Sequence, residues 1–532
     1  MKPGSPMLEP LRRFFDQMHH QNVPYCHWKS NEHLREGLTG LTDLDLLVDR
    51  ARSRELSAIL AATGFRRFTA APGAAYPAVE DYLGFDHETG ALLHLHVHYR
   101  LVLGEKHLKG YCLPWADVVL DRRVTDSESG VFTADPAAEL VLLLVRSALK
   151  LRGRDRIREL RGRPALGKNE RRELSWLLER TSSAEVVAVS EMLVGPAAAT
   201  LLSEMVERGP SLAALRRLRH AIEGPLLLHR TYGRTEARLL RVVRELSWLV
   251  AGVNARTVRR PLGLRRFDPT GGSVIAFLGA DGSGKSTMVR EVMRWLAWKL
   301  DVHSVYHGSG DGTASWLRRP LVVARGLARR RPRRDSRSAA GGPAKAESMA
   351  DESPEARPMA VESQETVPAT GADHHTVSRP RRVTAYLALW ALVLSWEKRT
   401  KLVRSWRARH RGMVVVTDRY PQHQVDGFND GPLLAAWRHH PSQLLRAVAA
   451  WEAAPYRWAS TTPPDVVIKL HVDPDVAHAR KSGDAMTRTE VARRVRAVEE
   501  LSFPVERVHV IDANRSLEEV LLDVKRVVWS RM

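Results

Sequence analysis

The sequence predicts an α/β protein in three parts: an α+β N-terminal domain over residues 1–132, a helical region over 133–262, and a C-terminal domain over 263–532. Three observations carry this reading. In the last part, strand-like runs alternate with helix-like stretches, the pattern of a five-stranded parallel sheet with helices on both faces. From Pro136 to Val253, apolar residues recur instead at three- and four-residue spacing with few turn signals, as packed helices require. The 532-residue chain is 44% hydrophobic and 27% charged, so it has the apolar content to bury a core in each of about three domains.

The individual elements follow in order. Residues 8–21 are amphipathic and open the chain as a helix. LDLLV at 44–48 reads as a short strand, a helix pattern runs on to Leu60, and ALLHLHVHY at 91–99 reads as a second strand. AAELVLLLVRSALKL at 137–151 reads as a helix, with Asp135 as its N-cap and Pro136 at the first position, where its missing amide costs nothing. SVIAFL at 273–278 then begins the sheet, followed by VHSVY (302–306), MVVVT (413–417), DVVIKL (465–470) and RVHVI (507–511). One stretch breaks the alternation. Residues 322–382 are rich in Arg, Pro, Ala, Ser and Glu, with almost no large apolar residues, and are predicted to be a disordered insertion because they cannot bury enough surface to offset ordering.

Composition excludes several classes. With two cysteines, Cys26 and Cys112, the chain has no disulfide framework and no cysteine-rich zinc module. The opening MKPGSPMLEPLRRFF lacks the apolar core of a secretory signal. The longest apolar run, VTAYLALWALVLSW at 383–396, has 14 residues and falls short of the roughly 20 needed to cross a bilayer. It is expected to be a buried helix, and the chain a cytoplasmic protein without a membrane span. Lys and Arg number 82 against 61 acidic residues, a formal charge of +21, which suits an anionic partner or a solvated basic surface.

The most specific signal is GADGSGKST, Gly279 to Thr287, which satisfies G-x-x-x-x-G-K-[ST] between an apolar strand and an amphipathic helix over 288–300. Gly279, Gly282 and Gly284 let backbone amides, including that of Ser283, turn inward around phosphate oxygens. Lys285 supplies a point charge to the β- and γ-phosphates, Ser286 offers a hydroxyl to Mg²⁺, and the helix N-terminus favours an anion. ATP or GTP binding with Mg²⁺ is the expectation. MVVVTDRYP places Asp418 and Arg419 just beyond a buried strand, where a carboxylate can organise the metal and a guanidinium can grip phosphate. Further on, Arg480 and Lys481 follow the fourth strand, and Arg488 comes after the polar turn SGDAMT. No NKxD pattern or helicase motif is present in the sequence.

On the ADGSGKST turn, the strand-end DRY and the arginines around 480–488, the C-terminal part resembles the thymidylate kinase family of P-loop nucleoside monophosphate kinases. The resemblance implies a P-loop kinase fold, ATP as donor and a nucleoside monophosphate as acceptor. It assigns donor phosphates and metal to Lys285 and Ser286, with Asp281 near the acceptor sugar. Arg419 takes the acceptor phosphate, and Arg480 and Arg488 fall in a lid over 480–490. Two segments depart from the family: VYHGSGDG at 305–312 replaces an REPGG-like segment, and PQHQVDGFNDGP at 421–432 replaces S-x-x-A-Y-Q-G. Both belong to acceptor recognition, so the donor side matches and dTMP as acceptor does not follow.

Residues 25–49, YCHWKSNEHLREGLTGLTDLDLLVD, resemble a degenerate nucleotidyltransferase motif, in which a Gly-Ser turn precedes D-x-[DE] on a strand and a third carboxylate on a later one. Asp43 and Asp45 alternate and share a face, where they are candidate metal ligands. Lys29 replaces the glycine, and the later strand offers His94, His96 and His98, either metal ligands or a half-solvated polar face. The reading is an ATP-dependent phosphotransferase acting on a small phosphorylated acceptor, with a homodimer as an assembly to test. The alternatives are a nucleotidyltransferase using the P-loop as sensor, and a nucleotide-gated binding protein contacting nucleic acid or another acidic partner.

Overall fold

The computed structural model describes residues 7–152, 164–256, 263–308, 385–425, 431–480 and 487–532. The predicted insertion at 322–382 lies outside them.

Fifteen strands are present among the described residues: β1 (Tyr25–His27), β2 (Leu44–Val48), β3 (Arg66–Ala70), β4 (Val79–Phe85), β5 (Leu92–His98), β6 (Leu101–Leu103), β7 (Tyr111–Leu113), β8 (Val124–Thr125), β9 (Phe132–Thr133), β10 (Arg266–Phe267), β11 (Val274–Gly279), β12 (Val302–Tyr306), β13 (Val414–Asp418), β14 (Val466–His471) and β15 (Val508–Asp512). The expected C-terminal sheet has five parallel strands in the order β12-β13-β11-β14-β15. Its central strand is buried on both faces, which is why VIAFLG reads as a continuous apolar run. Ile275, Phe277, Val414 and Val416 face the helices Lys285–Ala297 and Leu517–Ser530. Val274, Ala276, Leu278 and Val415 face the opposite layer, formed by the helices Ala385–His410, Gln443–Thr461 and Arg488–Glu499.

The N-terminal sheet is mixed, with eight strands in the order β10-β3-β4-β5-β2-β1-β9-β8. Its register matters for function. β2 runs parallel to β5 and sets Asp45 opposite His96, while antiparallel β4 sets Asp81 opposite the same histidine from the other side. Two carboxylates therefore flank one imidazole by strand geometry alone.

The helical region forms around Pro136–Lys150, whose residues from Ala137 to Leu149 are all buried, with the helices Lys168–Leu178, Ser183–Val194, Pro196–Arg208 and Leu212–Glu223 packed about it. Asp135 occupies the N-cap position as expected, its carbonyl accepting from the Glu139 amide at 2.9 Å, but its side chain takes no part. Its carboxylate receives Arg122 at 3.0 Å instead, and no side-chain cap bond forms. Nor is the helix Ala385–His410, which takes up the described part of that run, wholly buried: Trp390, Ala391 and Leu394 are inside, while Leu387, Leu389 and Trp396 are exposed. The sequence run was apolar all round because the charged turn that completes the helix, from Glu397 onward, lies beyond it. No helix among the described residues is long and apolar enough to cross a membrane.

Two seams join the halves of the molecule. Phe68, Leu83, Phe85 and Leu92 of the N-terminal sheet belong to the same apolar cluster as the helices Lys285–Ala297 and Leu517–Ser530. Phe85 sits edge-on to Trp295 at 5.7 Å between centroids and stacks on Trp529 at 5.8 Å. In the second seam, Arg266 and Phe267 leave the C-terminal part and add β10 to the edge of β3.

Candidate functional site

The turn after β11 is held open by its glycines. Gly282 and Gly284 have φ of +87° and +85°, conformations that cost other residues energy. A Cβ on Gly282 would collide with the carbonyl of Ala477, in the helix Pro474–Ala479, so that helix rests directly on the turn. A Cβ on Gly279 would meet the Ser283 hydroxyl. The helix Lys285–Ala297 begins at once, with Gly284 as N-cap and no side chain covering its first amides. Lys285 folds back and donates to the carbonyl of Ala280 at 2.7 Å, and Thr287 accepts from Arg290 at 3.4 Å.

β13 lies beside β11, and this adjacency brings Asp418 to the turn. Ser286 Oγ donates to Asp418 Oδ2 at 2.8 Å. Asp418 is buried, and its Oδ1 has no hydrogen-bond partner among the described residues. A buried carboxylate oxygen without a donor, beside a hydroxyl at the mouth of a helix, fits a small oxygen-seeking cation such as Mg²⁺. Arg419 follows with φ of +66°, an uncommon conformation for a non-glycine residue. Its guanidinium reaches Asp281 Oδ1 at 3.4 Å, while Arg494 ion-pairs with Asp281 Oδ2 and with Glu490 at 3.2 Å.

Gly279, Asp281, Gly282, Ser283, Gly284, Lys285, Ser286 and Thr287 are thus brought together with Asp418 and Arg419. Arg480 and Arg488 are engaged elsewhere: Arg480 donates to the carbonyl of Ala513 at 2.9 Å, and Arg488 to Asp475 at 2.6 Å. Lys481 and the rest of the turn to 486 lie outside the described residues. Sequence reasoning missed Arg494, because nothing in ARRVRAVEE marks one arginine from the next.

A second constellation lines a cavity of about 600 Å³ in the N-terminal half. Lys29, Ser30, Asp43, Asp45 and Lys109 line it, and so do Arg146, Glu170 and Glu173 from the helical region. The helices are therefore part of this site. Asp45 Oδ1 is met by Lys29 at 2.8 Å, His96 at 3.0 Å and His98 at 3.3 Å. His94 lies 3.2 Å from Asp43 and 2.8 Å from Asp81, Lys299 pairs with Asp43, and Arg266 meets Asp81 at 2.7 Å. His94 and His98 are buried and His96 is nearly so. The half-solvated polar face that alternation suggests is instead an interior acid–imidazole network, its carboxylates supplied by the flanking strands β2 and β4.

The electrostatics follow from this pairing. Burial opposes charge on Asp43, but His94 and Lys299 outweigh it and hold the carboxyl well below its ordinary range. Asp45 is likewise held low against its burial by Lys29 and the two histidines. Burial pushes His96 and His98 down, which keeps both imidazoles neutral. Deeper in, Glu139 is pushed up to about 8 by burial and by neighbouring Glu173, although Asn31 donates to it from its backbone and from its side chain at 2.6 Å. Arg146 takes Glu173 at 2.6 Å.

The chain is similar to bacterial proteins named for ATP binding. Of these, the uncharacterized ATP-binding protein YghS of Escherichia coli strain K12 is 25% identical over 261 residues, 49% of this chain and 93% of that protein. The uncharacterized ATP-binding protein YghR of the same strain is 25% identical over 262 residues, 48% of this chain and 86% of that protein. No protein-family model matches the chain.

Proposed function

We propose that the chain is an ATP-dependent phosphotransferase resembling thymidylate kinase, which moves the γ-phosphoryl group of ATP to a nucleoside monophosphate or a related small phosphorylated acceptor. The observation that carries this is the Ser286–Asp418 hydrogen bond at the Gly279–Thr287 turn, with Asp418 Oδ1 buried and without a hydrogen-bond partner among the described residues. Similarity to two proteins named for ATP binding supports ATP as the donor.

Each residue has a defined part. The turn amides and the helix N-terminus bind the donor phosphates, and Lys285 exchanges its bond to Ala280 for the β- and γ-phosphate oxygens. Ser286 and Asp418 would hold Mg²⁺, which would supply positive charge at the donor phosphates. Arg419 and Arg494, gathered on Asp281, orient the acceptor phosphate for in-line attack, so that alignment lowers the barrier. No dedicated general base is needed when the attacking phosphate is already ionised at neutral pH.

The test is ADP release by the full chain with Mg-ATP over a panel of nucleoside monophosphates, nucleosides and sugar phosphates. One acceptor accelerates release at least tenfold, and Lys285→Ala and Asp418→Asn lower that rate on the order of 10²-fold or more. Flat rates across the panel with ATP still bound defeat the reading.

A further inference from the structure

The N-terminal cavity has no task in the phosphotransferase reading, and its chemistry differs from that of its nearest sequence resemblance. Two-metal nucleotidyl transfer needs carboxylates with negative charge to spare. Here each candidate already has a protein cation: Lys299 on Asp43, Lys29 on Asp45 and Arg266 on Asp81. A pair of magnesium ions therefore does not fit these residues. β5 offers imidazole nitrogen in their place.

His96 Nδ1 and His98 Nε2 lie 3.0 and 3.3 Å from Asp45 Oδ1, and 3.3 Å from each other. Three ligand atoms thus form a nearly equilateral triangle. For metal–ligand bonds of about 2.1 Å, ligand atoms sit about 3.0 Å apart along an octahedral edge and about 3.4 Å apart along a tetrahedral one. The observed triangle spans those two values. Two imidazoles and one carboxylate form a ligand set selective for first-row transition metals over magnesium or calcium, and Asp45 of the three also lines the cavity. A second carboxylate, Asp81, stands 3.8 Å behind the far nitrogen of His96, where it can orient the ring. Lys29 stands 2.8 Å from the shared oxygen, so an ion bound through the imidazoles has to displace its ammonium.

We propose that Asp45, His96 and His98 form a site for one divalent transition-metal ion of the zinc type, in the wall of the N-terminal cavity, with Lys29 as its internal competitor. The site is independent of the phosphotransferase reading.

The test titrates chelator-treated full-length protein with Zn²⁺ by calorimetry, and with Co²⁺ by visible absorption, in excess Mg²⁺ to fill sites that prefer hard cations. One equivalent binds, and Co²⁺ gives the ligand-field bands of nitrogen coordination. His96→Ala and His98→Ala each weaken binding at least 10-fold, by the scale on which metal ligands contribute. His94→Ala changes it less than about threefold, since that ring serves Asp43 and Asp81. Lys29→Ala tightens it several-fold by removing the competing charge, an outcome that no merely structural role for Lys29 predicts. Absence of stoichiometric binding overturns the proposal, and so does binding that His96→Ala and His98→Ala leave unchanged. Should an alanine variant fail to fold by circular dichroism, His96→Gln keeps the ring's volume approximately, and the same loss of binding is expected of it.

Discussion

Lys299, the second residue beyond the helix that starts at Lys285, forms an ion pair with Asp43 at the N-terminal cavity. With a rise of about 1.5 Å per residue, that helix sets its two lysines about 20 Å apart. One rigid element thus has its first turn at the candidate phosphate site and its far end on a carboxylate of the other half.

Removing either partner strands the other in a largely buried place. Lys299→Ala is expected to cost about 1–3 kcal/mol, below the full penalty for a buried pair because Asp43 keeps His94 and some solvent. Combined with Asp43→Asn, the two losses fall short of their sum by about 1 kcal/mol. Urea unfolding of the four proteins of the cycle measures this, and strict additivity would show that the pair does not form in solution.

Phe85 is the aromatic hinge between halves, enclosed by Trp295 and Trp529. Phe85→Ala should cost about 3–5 kcal/mol, as for other large-to-small changes in a core. Because the lost contacts cross the seam, scanning calorimetry should also show one transition separating into two. A single, merely shifted transition would contradict a shared core.

The pH dependence of stability has a definite sign at Glu139. Its carboxyl is pushed up to about 8 in the folded chain from an ordinary 4.5, so over that window the folded state binds the extra proton. Its stabilising contribution is complete below about pH 4.5 and is lost as pH rises toward 8, at no more than about 1.4 kcal/mol per unit. Glu139→Gln, which mimics the protonated form, should flatten the fall in melting temperature between pH 5 and 8. Parallel curves for the two proteins would refute this.

Gly282→Ala tests the phosphate turn without touching a charged group. The new methyl meets the Ala477 carbonyl on a backbone with φ of +87°, so the turn must distort. Strain of this kind costs about 1–3 kcal/mol, and ATP affinity should fall at least 10-fold in equilibrium dialysis. Unchanged affinity would mean that the turn does not cradle the nucleotide.

The five strands of the C-terminal sheet, β2, β5 and the phosphate turn were legible in the sequence because local signals determine them, whereas the shorter or less apolar strands such as β3, β4 and β10 were not. VHSVY at 302–306 is β12 residue for residue, and the glycines announce the turn. The relationships that give the sites their chemistry were not legible. His94, His96 and His98 alternate as an exposed face would, and only the register with β2 and β4 shows that carboxylates enclose them. Arg494, Lys299 and Arg266 each find an aspartate more than 180 residues away along the chain, a pairing that no spacing rule reaches.

β10 gives the molecule an unusual dependence on its own connectivity. The two residues that form it precede the C-terminal sheet in sequence yet complete the other sheet by covering the edge of β3. A fragment ending before Arg266 would present that edge bare, with free amides and carbonyls ready to recruit a strand from another molecule. A fragment starting there would carry Phe267 with nothing to pair against. A chain cut back to its N-terminal half should therefore associate through that edge more readily than one that keeps Arg266 and Phe267.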